Sequence, residues 1–128
     1  MNETPPAPLV LLVEDDADGR DMYEIVLRGS GLRVMTAANG VDAIEKAIAE
    51  RPRLILMDLS LPAMDGWEAS RRLKRDPATR DIPIIALSGN PIDGRGEGAA
   101  LFAASLLKPC FPDDLVAEVR RQVGSIHS

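Results

Sequence analysis

The sequence predicts an α/β domain with a doubly wound, five-stranded parallel sheet. Short, unbroken apolar runs alternate with longer stretches in which apolar residues recur at helical spacing. A short unbroken apolar run indicates a strand that is covered on both faces. Strands that alternate with helices through short connections require right-handed crossovers, so the sheet is parallel and helices lie on both of its sides.

The first strand is predicted at Leu9–Val13, where five apolar residues run into Glu14, Asp15 and Asp16. A helix follows from Ala17, because the apolar residues change to a helical period and Asp16 is a suitable N-cap. We expect one apolar stripe of this helix to face the core, formed by Met22, Ile25, Val26 and Gly29.

The second and third strands are predicted at 32–37 and 53–58, on either side of a second helix that begins at Gly40 and ends before Pro52. Arg33 indicates that the second strand is less covered than the others. The inward face of the second helix is predicted from its apolar positions, which are Val41, Ile44, Ala47 and Ile48.

The second half of the chain continues the alternation. A third helix is predicted at Gly66–Arg75, a fourth strand at 82–87 and a short fifth strand at 105–107. The last helix begins at Pro112, since proline suits the first helical position. Its inward residues are predicted to be Leu115, Val116, Val119 and Val123.

The fourth helix is expected to be short or irregular. Its segment contains Gly94, Gly96 and Gly98. Each glycine inside a helix would cost ~1 kcal/mol relative to alanine. The pattern therefore predicts at most a short helix near 99–103.

Composition excludes several classes of protein. The chain has 128 residues and a net charge of −5, and this acidic balance argues against direct nucleic-acid binding. No apolar run approaches the ~20 residues of a membrane span, and no secretion signal is present. Cys110 is the single cysteine, which fits a reducing compartment, and the single histidine, His127, excludes a histidine-based metal site.

These features predict a soluble cytoplasmic domain without a membrane partner. Its expected extent is 9–124. Residues 1–8 contain three prolines and are predicted to be a disordered leader. Residues 125–128 are predicted to be a tail.

Polar residues lie where four of the predicted strands end. Glu14 and Asp15 follow the first strand, Asp58 ends the third, and Ser88 and Lys108 follow the fourth and fifth. These strand ends share one edge of a parallel sheet, where ligands bind in open α/β folds. Three carboxylates at one edge repel one another and raise each other's pKa. A divalent cation relieves this repulsion, and Mg²⁺ prefers such oxygen ligands.

Phosphate is the ligand that the remaining groups favour. Lys108 is one of only three lysines beside twelve arginines, and a compact ammonium pairs well with one phosphoryl oxygen. Ser88 can donate a hydrogen bond to another oxygen. Asp58 can attack phosphorus as a carboxylate nucleophile and form an acyl phosphate, while metal, lysine and hydroxyl neutralise the equatorial oxygens.

These motifs resemble the receiver domain of two-component response regulators. The matching stretches are Leu-Leu-Val-Glu14-Asp15-Asp16, Asp58-Leu-Ser-Leu-Pro-Ala-Met-Asp-Gly66, Ala86-Leu-Ser88-Gly and Leu107-Lys108-Pro109. The run from Asp58 to Gly66 is highly specific, and the resemblance covers 9–123. It implies the receiver type of the flavodoxin-like fold.

The resemblance also implies roles for the site residues. Asp58 would take a phosphoryl group from a histidine kinase, a phosphotransfer protein or a small phosphodonor. Asp15, Asp58 and the carbonyl of Ser60 would hold Mg²⁺ directly, and Glu14 would hold it through water. Lys108 would contact the phosphoryl group.

Ser88 would turn toward the phosphoryl group and report its presence to a partner surface. The Lys108–Pro109 peptide bond is often cis in this family. Such a domain is a signalling phosphoacceptor rather than an enzyme with an external substrate. We expect it to stand alone without an output domain, and to change partner binding or relay the phosphate.

Two departures from the family concern the coupling to a partner. Ser105 stands where the family usually has a switch aromatic, three positions before the lysine. Cys110 stands where an aromatic usually follows Lys-Pro, with Phe111 after it. The glycine-rich fourth helix is a third difference, since this helix normally belongs to the output face.

Three other functions compete with this interpretation. A hydrolase with an aspartyl-phosphate intermediate usually needs a second carboxylate two residues after the nucleophile, where this chain has Ser60. A flavin-binding module of similar topology would have a Ser/Thr/Gly-rich loop after the first strand, and Glu-Asp-Asp there repels phosphate. A degenerate receiver would bind partners without phosphorylation, although every expected site residue is present.

Overall fold

The structure is a computed structural model and describes residues 6–124. Strands and helices alternate along this range. The strands are β1 Leu9–Val13, β2 Arg33–Ala37, β3 Leu54–Asp58, β4 Ile84–Ser88 and β5 Ala104–Leu107. The helices are α1 Ala17–Gly29, α2 Gly40–Glu50, α3 Gly66–Arg75, α4 Glu97–Leu101 and α5 Pro112–Gly124.

All five strands form one parallel sheet in the order β2-β1-β3-β4-β5. This result confirms the predicted doubly wound, five-stranded parallel sheet. The connections change direction between the central neighbours β1 and β3, and ligands in such sheets bind beyond the carboxyl ends at this switch point. Strand β2 lies at an edge, which explains why Arg33 is exposed.

The core forms two layers, one on each face of the sheet. Successive residues of β1 and β3 enter different layers, as the two-residue period of a strand requires. One layer joins the sheet to α1 and α5 through Tyr23, Leu27, Leu115 and Val119. The other joins it to α2 and α3 through Ala43, Ala47, Ala69 and Leu73.

The predicted inward face of α1 was wrong, and that of α2 was right at Ile44 and Ala47 only. Ile25 is 71% exposed and Met22 is 44% exposed, because α1 packs on the sheet through Tyr23 and Leu27 instead. In α2 the buried positions are taken by small residues, and Val41 and Ile48 are exposed. Periodicity located both helices, but the apolar stripe of α1 does not coincide with the side that contacts the sheet, and that of α2 coincides with it only in part.

Helix α4 is short, as predicted, and lies two residues earlier than expected. Gly96 precedes it with a φ of 69°, a conformation that glycine adopts at little cost. After α4 the chain joins the sheet at once, since the amide of Ala103 donates to the carbonyl of Ile84 at 2.9 Å. The helix therefore ends at Leu101 instead of the predicted 103, and β5 begins at Ala104.

The predicted leader and tail lie largely outside the described residues, at 1–5 and 125–128, as does His127. At the described end of the leader, the carbonyls of Ala7 and Pro8 accept hydrogen bonds from Arg33. Within residues 6–124, no helix is both long and apolar enough to cross a membrane.

Candidate functional site

The register of the sheet places Glu14 beside Asp58. Val13 on β1 pairs with Met57 on β3, so the next residue of each strand lies at the same level of the sheet. The amide of Glu14 continues the ladder by donating to the carbonyl of Ala37 at 3.0 Å. Both carboxyl residues are only 1% exposed. The switch point of the fold thus holds two buried acids side by side.

Lys108 reaches these acids from β5. Leu107 pairs with Ser88 at the end of β4, so Lys108 begins two strands away from Asp58. Neighbouring strands lie about 4.8 Å apart. An extended lysine side chain can cover most of the distance across two such spacings. Its Nζ donates to Glu14 Oε1 at 2.8 Å and to Asp58 Oδ2 at 3.3 Å. The peptide bond that follows Lys108 is cis.

The two buried acids have opposite pKa shifts. Burial and the hydrogen bond with Asp58 together raise the pKa of Glu14 to about 7, against the opposing effect of Lys108. Burial also opposes ionisation of Asp58, but hydrogen bonds from Glu14, the Ser60 amide and Lys108 bring its pKa below the usual value. Asp58 is therefore the ionised member of the pair.

Lys108 keeps its charge in this setting. Burial would lower its pKa, but the hydrogen bond to Glu14 and the charge of Asp58 outweigh burial and raise the pKa. One ammonium thus faces two carboxyl groups. The site retains negative charge that a further cation can neutralise whenever both acids are ionised.

Asp15 completes an acidic cluster with Glu14 and Asp58. Oxygen atoms of the three carboxyl groups lie within 4.8 Å of one another, and Asp15 is exposed at the mouth of the site. A set of hard oxygen donors open to water on one side is the environment that Mg²⁺ prefers, since this ion keeps several waters. The residues present therefore fit a magnesium ion.

The loop after β3 orients the carboxylate of Asp58. The amide of Ser60 donates to Asp58 Oδ1 at 2.9 Å, which orients that carboxylate. Gly66 packs against the carbonyl of Asp58 so closely that any Cβ there would overlap it. Asp65 caps α3 through the amide of Glu68, as expected of a turn residue. The metal contact of the Ser60 carbonyl stays a prediction.

The two residues with expected switch roles lie outside this hydrogen-bonded cluster. The hydroxyl of Ser88 donates to the carbonyl of Asn90 at 2.8 Å and accepts from its amide at 3.1 Å. Ser105 is exposed on β5 and lines a cavity of about 310 Å³ between β5 and α4. Because the Ser105 side chain is short, it leaves open part of this cavity, which an aromatic side chain would fill.

Arg20 is a site residue that sequence reasoning missed. Its Nη1 donates to the carbonyl of Glu14 at 2.9 Å and to that of Asp15 at 3.5 Å. In the sequence it is one of twelve arginines, and nothing in its spacing distinguishes it from a solvated residue in the first turn of a helix.

Fold and site together define a class of protein. A flavodoxin-like sheet with a buried aspartate, two further acids and a lysine at its switch point is typical of α/β signalling domains. The family model of the response regulator receiver domain matches residues 10–120. This chain belongs to the response regulator receiver domain family, whose members are signalling domains of two-component systems rather than turnover enzymes.

Relatives of known function are full-length regulators. The phosphate regulon transcriptional regulatory protein PhoB of Pseudomonas aeruginosa is 38% identical over 116 residues, which cover 87% of this chain and 49% of PhoB. The DNA-binding regulator RpaA of Synechocystis is 34% identical over 88% of this chain and 48% of RpaA. This chain therefore spans about half the length of these relatives.

Solved structures resemble the whole domain. The chemotaxis protein CheY4 of Vibrio cholerae has a TM-score of 0.84 and 30% identity, and the match covers 90% of this chain and 98% of CheY4. The receiver domain of the sensor histidine kinase PA1611 of Pseudomonas aeruginosa has a TM-score of 0.81 and 32% identity, covering 92% of this chain and 98% of that domain. That structure holds a magnesium ion in its active site cleft.

Proposed function

We propose that Asp58 is the phosphoacceptor of this receiver domain. The observation that carries the proposal is the buried, ionised Asp58 carboxylate, held between Lys108 and the Ser60 amide. The proposed donors are the phosphohistidine of a histidine kinase or phosphotransfer protein, or a small phosphodonor such as acetyl phosphate. The proposed compartment is the cytoplasm.

The reaction is a transfer of one phosphoryl group. An oxygen of the Asp58 carboxylate forms a bond to phosphorus while the bond from phosphorus to the donor's imidazole nitrogen breaks. The imidazole leaves with the bonding electron pair, and it leaves as a neutral group because its other ring nitrogen carries a proton in the donor. Lys108 stays protonated through this step and contacts a phosphoryl oxygen, which its raised pKa favours.

The metal part of the proposal assigns four positions. Asp15, Asp58 and the carbonyl of Ser60 would hold Mg²⁺ directly, and Glu14 would hold it through water. The bound ion would neutralise charge on the acids and on the oxygens of the group in transfer. The acidic cluster and its hard oxygen donors support this assignment.

Output is proposed to begin at Ser88. Its hydroxyl would leave the Asn90 backbone for a phosphoryl oxygen, which would free the loop that leads to α4. Ser105 and the cavity beside it would take part in partner binding at β5. The domain would then change its affinity for a protein partner or pass the phosphoryl group to a phosphotransfer protein.

Intact-mass measurement after incubation with acetyl phosphate and Mg²⁺ tests the acceptor. We expect one phosphoryl adduct, which is absent from Asp58→Asn and absent under chelation. Asp65→Asn is the matched control, because Asp65 caps α3 without belonging to the acidic cluster, and its adduct should persist. A wild-type chain that binds Mg²⁺ and forms no adduct would favour a degenerate receiver, which binds partners without phosphorylation.

A further inference from the structure

Arg20 holds the backbone of the acidic loop rather than its carboxyl groups. The residue lies in the first turn of α1, and its side chain folds back toward the end of β1. Its Nη1 donates to the carbonyl of Glu14 at 2.9 Å, with a second, longer bond of 3.5 Å to the carbonyl of Asp15. The charged donor makes these bonds stronger than neutral ones.

The two carbonyls belong to the peptide units on either side of Asp15. When both peptide units are held, the direction in which the Asp15 side chain leaves the backbone is fixed. The loop has further support on the helix side, where Asp16 caps α1 through the amide of Gly19 at 2.8 Å. Arg20 is the side chain that joins the helix to the loop at the level of Glu14 and Asp15.

We propose that Arg20 is a positioning residue of the acceptor site, which aims the carboxyl groups of Glu14 and Asp15 at the metal position. The proposal rests on the magnesium site described above. Groups that orient metal ligands from behind typically change metal affinity by about 10–100-fold when they are removed. We therefore expect a loss of Mg²⁺ affinity in Arg20 variants.

A purely electrostatic role of Arg20 predicts the opposite change in Mg²⁺ affinity. The guanidinium is a positive charge close to the acids, so removing it would strengthen the attraction of the acids for Mg²⁺. If charge alone mattered, Arg20→Ala would bind Mg²⁺ more tightly and Arg20→Lys would bind it as the wild type does. If positioning matters, both variants bind Mg²⁺ more weakly, because lysine keeps the charge but ends one bond short of the Nη1 position.

Calorimetric titration of the metal-free protein with Mg²⁺ alone distinguishes the two roles. Arg28→Ala is the matched control, since Arg28 lies on the same helix and also donates to a backbone carbonyl, that of Val34 at 2.7 Å. We expect Arg20→Ala and Arg20→Lys each to lose about tenfold or more in Mg²⁺ affinity, and Arg28→Ala to bind as the wild type does. Thermal unfolding without metal checks that each variant folds. If Arg20→Ala does not fold, Arg20→Lys alone serves as the test.

The outcomes separate this inference from the proposed function. Wild-type binding with unchanged or tighter binding in both Arg20 variants overturns the positioning role and leaves the magnesium site intact. An equal loss in Arg28→Ala also overturns it, because the effect would then be one of general stability. A wild-type chain without Mg²⁺ affinity overturns both the magnesium site and the role of Arg20.

Discussion

Glu14 and Asp58 are neighbouring buried carboxyl groups, of which Glu14 binds a proton more readily and Asp58 stays ionised. The pKa of Glu14 rises to about 7 because it is buried beside another acid, whereas Asp58 keeps its charge through its hydrogen bonds. In the metal-free protein, Glu14 can hold the proton that would otherwise neutralise Asp58. A dication bound close to Glu14 favours the charged form of its carboxyl group, so loading the site should release this proton.

The pH dependence of Mg²⁺ binding follows from this shift. The ordinary pKa of Glu14 is 4.5 and the folded value is about 7, so between these values the folded, metal-free protein holds a proton that the unfolded chain has lost. The stability that this proton contributes is fully present below 4.5 and is lost as the pH rises through 7. Over the same window, Mg²⁺ affinity should rise with pH.

Calorimetry in two buffers of different ionisation enthalpy counts the protons released. We expect close to one proton per Mg²⁺ at about pH 6 and almost none at about pH 8.5. Glu14→Gln lacks the carboxyl group that holds this proton, so this variant should release no proton at either pH. Equal proton release by the wild type at both pH values would contradict the assignment of the proton to Glu14.

Gly66 links the backbone of the acceptor to α3. A methyl group on Gly66 would overlap the carbonyl of Asp58 and crowd Leu59. We expect Gly66→Ala to lose about 1–3 kcal/mol or more in the free energy of unfolding and to form less phosphoryl adduct. Denaturant titration and intact mass provide the two measurements.

Gly29→Ala is the control for this substitution. Gly29 lies at the end of α1, with open space where its Cβ would stand. Alanine there should leave phosphorylation unchanged and alter stability by no more than about 1 kcal/mol, in the stabilising direction. A Gly66→Ala variant as stable as Gly29→Ala would show that the loop can move away from Asp58.

At the scale of elements, α4 is the least supported helix of the described chain. It has five residues and no side-chain cap at Gly96. It is joined to α3 by an ion pair between Arg71 and Glu97 at 2.9 Å, and by the edge-to-face packing of Trp67 on Phe102. Exposed ion pairs of this kind contribute little to stability. Little therefore opposes local opening of this segment.

Hydrogen exchange tests whether this segment responds to the acceptor. We expect residues 94–101 to exchange faster than α3 in the unphosphorylated protein, and to gain protection on phosphorylation or partner binding. The expected route runs from Ser88 through the Asn90 turn. Equal protection of 94–101 in both states would contradict this coupling, even where an adduct on Asp58 is present.

The sequence predicted elements better than it predicted their faces. Unbroken apolar runs located β1, β3 and β4 within one or two residues, because strands that are buried on both sides consist of apolar residues. In α1 the apolar stripe through Ile25 faces outward and Tyr23 packs on the sheet. A helical period measures where apolar residues cluster, but the side that contacts the sheet also depends on α5 and on the crossing geometry.

At the scale of the whole molecule, strand order explains why distant residues could be associated from the sequence. Glu14, Asp58 and Lys108 are separated by tens of residues, yet parallel strands bring their carboxyl ends to one edge. The chemistry of the residues at strand ends was therefore predictable. The backbone bonds of Arg20 and the orientation of Ser88 were not, because they depend on loop geometry that no period describes.

Charge at the scale of the molecule agrees with a site that attracts cations. The chain carries a net charge of −5, and three of its acids meet at the switch point. Surface potential of this sign favours the approach of a divalent ion and depends on ionic strength. We propose that these acids gather a metal ion beside Asp58, so that Asp58 can accept a phosphoryl group.

A crystal structure of the chain with Mg²⁺ and beryllofluoride, a stable mimic of a phosphoryl group, tests this claim most directly. We predict beryllium bonded to an oxygen of Asp58, Lys108 on one fluoride, and the metal ion held by Asp15 and Asp58. Beryllofluoride bound to another residue, or a metal ion away from these carboxyl groups, would contradict the account.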